Sequence, residues 1–268
     1  MKIFSEVDVP MAESGAGSVC WVPLRMWRAG VNPVNRAMRW MGTGLLCMAT
    51  LSLAQQPAEV WRFDRLDRIG GHATTIAGHP QIIHTPYGPA TQFDGLADGL
   101  FVDVHPLAGD ATWTWEVIFR PDADGAAAQR FFHLQEVDPA TGEFTRDHMT
   151  LEIRIVDNQW CLDSYATKNG IRMPLLNCKL LHPLGQWYRV SFVYDGKQLR
   201  NYVGDALQGA ADVQLAPAGP GQTSVGTRIN KAYFFKGAIL SARFTPRALP
   251  PGEFLPLPKT ESSAPKHR

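Results

Sequence analysis

Apolar and polar side chains alternate along much of the chain after residue 57, and this alternation predicts β-strands. A period of two places successive side chains on opposite faces of a strand. In residues 111–120, for example, Trp113 and Trp115 fall on one face while Thr114 and Glu116 fall on the other. The same pattern predicts strands at residues 59–63, 80–85, 90–94, 99–104, 130–135, 149–155, 159–165, 187–194, 198–203, 223–227 and 234–245.

Two of these segments form a predicted hairpin. Residues 187–194 and 198–203 flank Asp195-Gly196, and glycine tolerates the positive φ that tight hairpin turns need. One side of the hairpin is apolar and the other is mixed. This pattern predicts an antiparallel sheet with one side on a core.

The remaining pattern predicts an all-β chain. We find no amphipathic helix longer than two turns and no internal repeat in the sequence, and the 24 glycines and 20 prolines fall between short apolar runs. Many short strands with regular turn signals are typical of a β-sandwich or jelly roll. A length of 268 residues fits one large β domain or two small ones.

The charge balance argues against a nucleic-acid partner. Lys and Arg total 26 and Asp and Glu total 25, which gives a net charge of +1, and no basic run stands out. Bulk charge therefore gives no sign of an acidic polymer as partner.

Residues 38–54 have the features of a secretory signal peptide. Arg36 and Arg39 supply positive charge, residues 45–53 form a short apolar run, and Ser52 and Ala54 offer small side chains at the two positions that a signal peptidase reads. We therefore predict a secreted or periplasmic protein with no transmembrane segment once the signal is removed. A buried core strand is the alternative.

Residues 1–37 show no clear periodicity. We interpret them as a leader outside any domain, or as sequence ahead of a true start at Met26 or Met38.

Export would leave two cysteines in the mature chain, Cys161 and Cys178. An even pair in an oxidising compartment predicts a disulfide, here across a loop between strand ends. Two buried free thiols are the alternative.

Four stretches in order carry a family resemblance: residues 60–64, residues 88–95, residues 186–190 with 194–196, and residues 237–249. Together they resemble the laminin-G-like, concanavalin A-like jelly-roll family. The resemblance implies a sandwich of two antiparallel sheets whose first and last strands pair. Because the hairpin belongs to this structural signature, its mixed side is interpreted as scaffold.

The resemblance covers residues 58–255, and we predict a disordered tail at residues 256–268. The fold hosts lectins, adhesion modules, hydrolases and lyases, so it does not fix function. Our prediction is a non-enzymatic carbohydrate-binding or adhesion module, with a glycan or cell-surface polysaccharide as partner. The alternatives are a divergent polysaccharide hydrolase or lyase, and a structural envelope protein with a protein partner.

The resemblance also raises the question of calcium. Many relatives bind it at the rim, but Leu240 and Ser241 stand where the family often has acidic residues. Asp64, Asp94 and Asp98 could still contribute oxygen ligands. We expect no cofactor and keep calcium as an option.

No catalytic residue is predicted. Glycosidases of this fold class carry an E-x-D-x-x-E strand, and the nearest stretch here places Glu152 and Asp157 around Arg154. We expect Arg154 to lower the pKa of Glu152, the wrong direction for a general acid. Echoes of alginate-lyase motifs, at Gln81 and Tyr233, are misspaced by one residue.

The best candidate for ligand binding is one loop-flanked segment that combines aromatic and planar polar side chains. The alternative is that its tryptophan packs in the core while the others decorate a loop. The predicted ligand-binding residues are Arg154, Asn158, Trp160, Asp163, Tyr165 and Asn169.

Overall fold

A computed structural model describes residues 57–257. The predicted leader, the signal peptide and most of the predicted tail lie outside the described residues. Across this range the chain forms β-strands and one short 3₁₀-helix, at Pro251–Glu253. No helix in residues 57–257 has the length and apolar character needed to cross a membrane.

One sheet contains eight strands. Its members are β1 (Glu59–Arg62), β4 (Gln81–Thr85), β5 (Gly88–Asp94), β7 (Trp113–Pro121), β13 (Tyr188–Tyr194), β14 (Gln198–Val203), β15 (Ala206–Asp212) and β17 (Lys236–Thr245). Their order is β15-β14-β13-β7-β17-β5-β4, and β1 also pairs with β17. We call this the first sheet.

The second sheet contains nine strands. Its members are β2 (Arg68–Ile69), β3 (His72–Ala77), β6 (Gly99–Val102), β8 (Ala128–Val137), β9 (Phe144–Val156), β10 (Gln159–Lys168), β11 (Ile171–Leu176), β12 (His182–Pro183) and β16 (Gly221–Val225). Their order is β11-β10-β9-β8-β16-β6-β3-β2, with β12 on β10.

Aromatic side chains join the inner faces of the two sheets. Trp115 on β7 meets Phe132 on β8 edge to face, with ring centroids 5.2 Å apart. Phe119 on β7 stacks on Phe131 of β8 at 4.4 Å. Such pairs contribute about 1 kcal/mol each beyond their area burial. The predicted all-β, concanavalin A-like jelly-roll sandwich is confirmed.

The first and last strands lie side by side, as predicted. β1 pairs antiparallel with β17, and Trp61 lies opposite Ala242. The indole of Trp61 is buried and meets Phe244 edge to face at 5.0 Å. This pairing closes the first sheet around the aromatic core.

The predicted hairpin is present as β13 and β14, but its mixed side does not face water. Val193 and Tyr202 pack there against Leu249 and Phe254 from the segment after β17. The Arg189 guanidinium below them donates to the carbonyl oxygen of Leu255 at 2.6 Å. The C-terminal segment therefore covers the hairpin, and that side is scaffold.

Candidate ligand-binding groove

A groove runs along the outer face of the second sheet, across β8 to β11. It consists of two adjoining clefts of about 420 and 490 Å³, which we call the first and second clefts. They form one continuous groove because they share three lining side chains. The first cleft is lined by Arg130, Glu152, Arg154, Asp163, Pro174 and Leu176, the second by Gln135, Thr145, Arg146, Thr167, Gly170 and Arg172, and both by His148, Tyr165 and Arg228.

Strand alternation explains why the groove is polar over an apolar core. On β9, Leu151 and Ile153 point inward and are fully buried, so Glu152 and Arg154 point outward. On β10, Leu162 points inward in the same way. The outward side chains of both strands form the floor of the groove.

An ion-pair network occupies the first cleft. Glu152 and Asp163 lie opposite each other in the β9–β10 register, and each is only 4% exposed. One Nη2 of Arg154 donates to Glu152 Oε2 at 3.1 Å and to Asp163 Oδ2 at 2.6 Å. Arg130 Nε lies 2.8 Å from Glu152 Oε1, and the Thr150 hydroxyl donates to the same oxygen at 2.9 Å. The two carboxylates therefore hold two arginines in place.

The pKa of Glu152 is raised above its ordinary value, chiefly because burial penalises the charged carboxylate. Arg130 and Arg154 oppose this shift, and the neighbouring Asp163 adds to it. The sequence-based expectation holds for the effect of Arg154, which lowers this pKa, but the net shift is upward because the loss of water around Glu152 outweighs both arginines.

An aromatic pair lies at the centre of the groove. The rings of His148 and Tyr165 are 5.3 Å apart and tilted by 37°. Burial lowers the pKa of His148, and Arg228 and Arg130 lower it further. His133 lies behind it at 5.2 Å, and its pKa falls well below the ordinary value for the same reasons. Both imidazoles are therefore neutral near pH 7.

Arg228 reaches the groove from the turn after β16. The Ser224 hydroxyl donates to the carbonyl oxygen of Thr227 at 2.8 Å, and the Arg228 N–H donates to the carbonyl oxygen of Ala232 at 3.1 Å. The backbone of this turn is thus fixed. The guanidinium itself is half-buried and makes no ion pair with any side chain in residues 57–257.

A disulfide supports one wall of the groove. Cys161 on β10 is bonded to Cys178, which lies after β11, and their Cα atoms are 5.1 Å apart. The predicted bridge is confirmed. It ties the segment after β11 to β10, next to the wall residues Pro174 and Leu176.

The structure separates the six predicted ligand residues into two groups. Arg154, Asp163 and Tyr165 line the groove. Trp160 does not: it is fully buried, its Nε1–H donates to the carbonyl oxygen of Pro183, and its ring packs on Phe119 at 5.3 Å. The core alternative therefore holds for this tryptophan.

The other two predicted residues, Asn158 and Asn169, occupy turns at the two ends of β10, with φ of 57° and 51°. Both are exposed and neither lines the groove. Asparagine suits these positions because it tolerates the left-handed backbone region.

The three aspartates considered for calcium do not form one ligand set. Asp94 Oδ1 accepts three backbone N–H groups of its own turn, and Asp98 accepts those of His79 and Asp94. Asp64 is exposed. Within the described part of the chain, no group of three His, Cys, Asp or Glu side chains could hold a metal ion. Calcium binding stays an untested prediction.

Comparison with known proteins places this geometry in a family. A model described as the concanavalin A-like lectin/glucanases superfamily matches residues 93–253. No curated protein matches the sequence.

Solved structures share the fold at low sequence identity. Domain 4 of an extracellular arabinanase from Geobacillus stearothermophilus, in complex with arabinotriose, has a TM-score of 0.53 at 18% identity, covering 73% of this chain and 94% of that one. The binding domain of paraclostridial mosquitocidal protein 1 has a TM-score of 0.54 at 9% identity, and the match covers 73% of this chain and 50% of that one. A Trypanosoma rangeli sialidase has a TM-score of 0.51 at 11% identity, and the match covers 72% of this chain and 31% of that one. This chain thus spans half or less of the toxin and sialidase chains.

Proposed function

Since the chain belongs to the concanavalin A-like lectin/glucanase superfamily, we propose that it is a non-catalytic glycan-binding module whose ligand lies in the groove of the second sheet. The observation that carries the proposal is the continuous groove centred on His148, Tyr165 and Arg228. A groove open along a sheet suits an extended sugar chain.

The side chains in the groove match the chemistry of a sugar. Tyr165 is half-buried and offers part of its ring as an apolar surface, while its hydroxyl can hydrogen-bond. Arginine, histidine and carboxylate groups around it supply fixed donors and acceptors. Because Arg130 and Arg154 are already held by Glu152 and Asp163, binding need not order them.

The structural comparisons add support at the level of the fold. The arabinanase domain was solved with arabinotriose, and this chain spans almost all of that domain. A module of this size on this fold can therefore hold an oligosaccharide.

The test is a glycan array followed by calorimetry on the hits. Tyr165→Ala should weaken binding of any hit about tenfold, since it removes the central ring. Tyr87→Ala is the matched control: Tyr87 is also half-buried but lies beside Trp187, against the outer side of the first sheet. An array without hits, or equal affinities of the wild type and Tyr165→Ala, would overturn the proposal.

A second candidate, a polysaccharide hydrolase, has one observation in its favour. Glu152 has a raised pKa and faces Asp163, and one nitrogen contacts both carboxylates, so the two carboxyl groups are close neighbours, as are those of retaining glycosidases at about 5 Å. However, Arg154 occupies the space between the two carboxylates that a scissile bond would need. Reducing ends released from a polysaccharide panel, and lost in Glu152→Gln, would favour hydrolysis over binding alone.

The proposal includes export to an oxidising compartment. The bond between Cys161 and Cys178 supports it, because disulfides persist outside the reducing cytosol. N-terminal sequencing of the mature protein should find a chain that begins just after Ala54. A mature chain that retains residues 38–54 would contradict the predicted signal.

A further inference from the structure

Resting on the proposed function, we propose that the second cleft is a subsite for an anionic group of the glycan, a carboxylate or a sulfate. The proposal names the chemical class of ligand for the groove. It starts from how charge is distributed between the two clefts.

Positive charge is concentrated in the groove although the whole chain is nearly neutral. Five arginines line the two clefts, against two carboxylates, whereas the chain carries 26 basic and 25 acidic residues. Both carboxylates, Glu152 and Asp163, lie in the first cleft and are paired with Arg130 and Arg154. The first cleft is therefore close to neutral.

The second cleft has no such compensation. Arg146, Arg172 and Arg228 line it, and none of its described lining residues is an aspartate or glutamate. These three arginines make no side-chain hydrogen bond or ion pair within residues 57–257. A guanidinium donates two parallel hydrogen bonds to a carboxylate or sulfate, so three unpaired guanidinium groups around one cleft select an anion.

The register of the strands brings these arginines together from separate parts of the chain. Arg172 on β11 lies opposite Thr167 of β10, and Thr167 lies opposite His148 of β9. Arg146 lies two residues before His148 on β9, and Arg228 borders both clefts. An anion in this cleft would lie next to Tyr165, so one sugar ring can contact the aromatic ring and place its acidic group among the arginines.

The neighbouring imidazoles respond to one of these three arginines. Burial is the largest cause that lowers the pKa of His148 and of His133, and Arg228 and the first-cleft residue Arg130 lower both pKa values further. Asp147 acts in the opposite direction on His148 but does not line either cleft. Neutralising the arginines with a bound anion should therefore raise the pKa of His148.

The test compares charged and neutral forms of one sugar chain. Oligogalacturonate and the same oligomer with its carboxyl groups reduced to alcohols are titrated by calorimetry, with a heparin oligosaccharide as the sulfated probe. We expect at least one anionic probe to bind about tenfold or more tighter than the neutral chain, and its affinity to fall in high salt. Preference for oligogalacturonate or for heparin identifies the anion as carboxylate or sulfate.

Variants separate the subsite from general attraction. Arg228→Ala and Arg172→Ala should each lower the affinity for the anionic probe about tenfold. Arg228→Lys keeps the charge and loses the planar guanidinium. Its affinity for the anionic probe should lie between those of the two alanine variants and that of the wild type. The matched control is Arg62→Ala, an exposed arginine on β1 of the first sheet, which should bind as the wild type does.

The pKa of His148, followed by NMR, gives a second measurement. It should rise when the anionic probe is added and stay unchanged with the neutral one. Equal affinity for charged and neutral chains, or full affinity in both Arg228→Ala and Arg172→Ala, would overturn the anionic subsite and leave the glycan-binding proposal standing. An array with no hit of either kind would overturn both.

Discussion

Glu152 on β9 and Asp163 on β10 lie directly opposite each other, and a single nitrogen of Arg154 contacts both carboxylates. Two acidic residues directly opposite on an antiparallel pair repel each other. The Arg154 guanidinium between them offsets this repulsion and links the two strands by hydrogen bonds to both carboxylates. The arrangement gives the first cleft a rigid polar floor and leaves little free charge in it.

Arg154→Met should destabilise the fold. It leaves Asp163, 4% exposed, without its cation next to Glu152, and removing one partner of a buried pair typically costs several kcal/mol. Because the Arg154 side chain is itself one-third exposed, we expect a smaller loss, about 2 kcal/mol in the free energy of unfolding. Urea denaturation gives the value.

Adding Asp163→Asn to Arg154→Met serves as the control, since it removes the uncompensated charge and should recover part of the loss. A single variant as stable as the wild type would show that water solvates this network.

Acid should destabilise the protein through His105. Burial lowers its pKa from 6.5 to about 4, and its Nδ1 accepts the N–H of Leu107. Between pH 6.5 and 4, His105 binds a proton in the unfolded chain but stays neutral in the folded chain. The free energy of unfolding that is present above pH 6.5 is therefore lost as the pH falls through this range. The loss reaches about 3 kcal/mol at pH 4.

His105→Asn keeps an acceptor for the Leu107 N–H and cannot be protonated. Urea titrations at pH 7 and pH 4 should therefore show a drop in stability about 3 kcal/mol smaller in this variant. Equal drops in both proteins would mean that His105 is not a source of acid sensitivity.

Strands could be predicted from the sequence where large side chains alternate, and not elsewhere. β7 and β9 were found because tryptophan, leucine and isoleucine mark every second position. β11 and β15 were missed. Pro174 interrupts the first, and small residues fill the second. β11 borders the groove and β15 borders the β13–β14 hairpin. Both are edge strands, where packing constrains the choice of residues less than it does in a central strand.

Only the part of the candidate site that lies on one hairpin could be predicted from the sequence. Arg154, Asp163 and Tyr165 lie on neighbouring strands joined by a tight turn, so sequence proximity found them. The position of Trp160 could also have been inferred, because residues 160 and 165 fall on opposite faces of one strand.

Arg130 and Arg228 could not be predicted as part of the site. They enter the groove only because β8 lies beside β9 and β16 lies beside β8 in the sheet, an order that local patterns do not encode. The burial of Glu152 depends on the same order, so the net rise of its pKa could not be predicted from the arginine beside it.

Phe254→Ala should uncover the β13–β14 hairpin. Phe254 is 6% exposed, meets Tyr202 edge to face at 5.2 Å and lies under the guanidinium of Arg189. Removing a buried phenylalanine side chain costs about 3 kcal/mol, and here it should also release the C-terminal segment. Urea denaturation measures the loss, and hydrogen exchange at the Leu255 amide, which donates to Glu116, reports the release.

Leu257→Ala is the matched control, because Leu257 belongs to the same segment but is 42% exposed. It should change stability by less than about 0.5 kcal/mol. Slow exchange at Leu255 in the Phe254 variant would show that hydrogen bonds alone hold the segment.

Removing the disulfide should weaken both the fold and the wall of the groove. Cys161 and Cys178 are 17 residues apart, and a cross-link over a loop of that length stabilises a protein by about 3 kcal/mol. The double variant Cys161→Ala with Cys178→Ala should lose about that much in urea denaturation. Its glycan affinity should fall as well, because the segment next to Pro174 and Leu176 is no longer tied to β10. Peptide mapping of the wild type should find both cysteines alkylated only after reduction, and alkylation beforehand would show that the bond does not form in the mature protein.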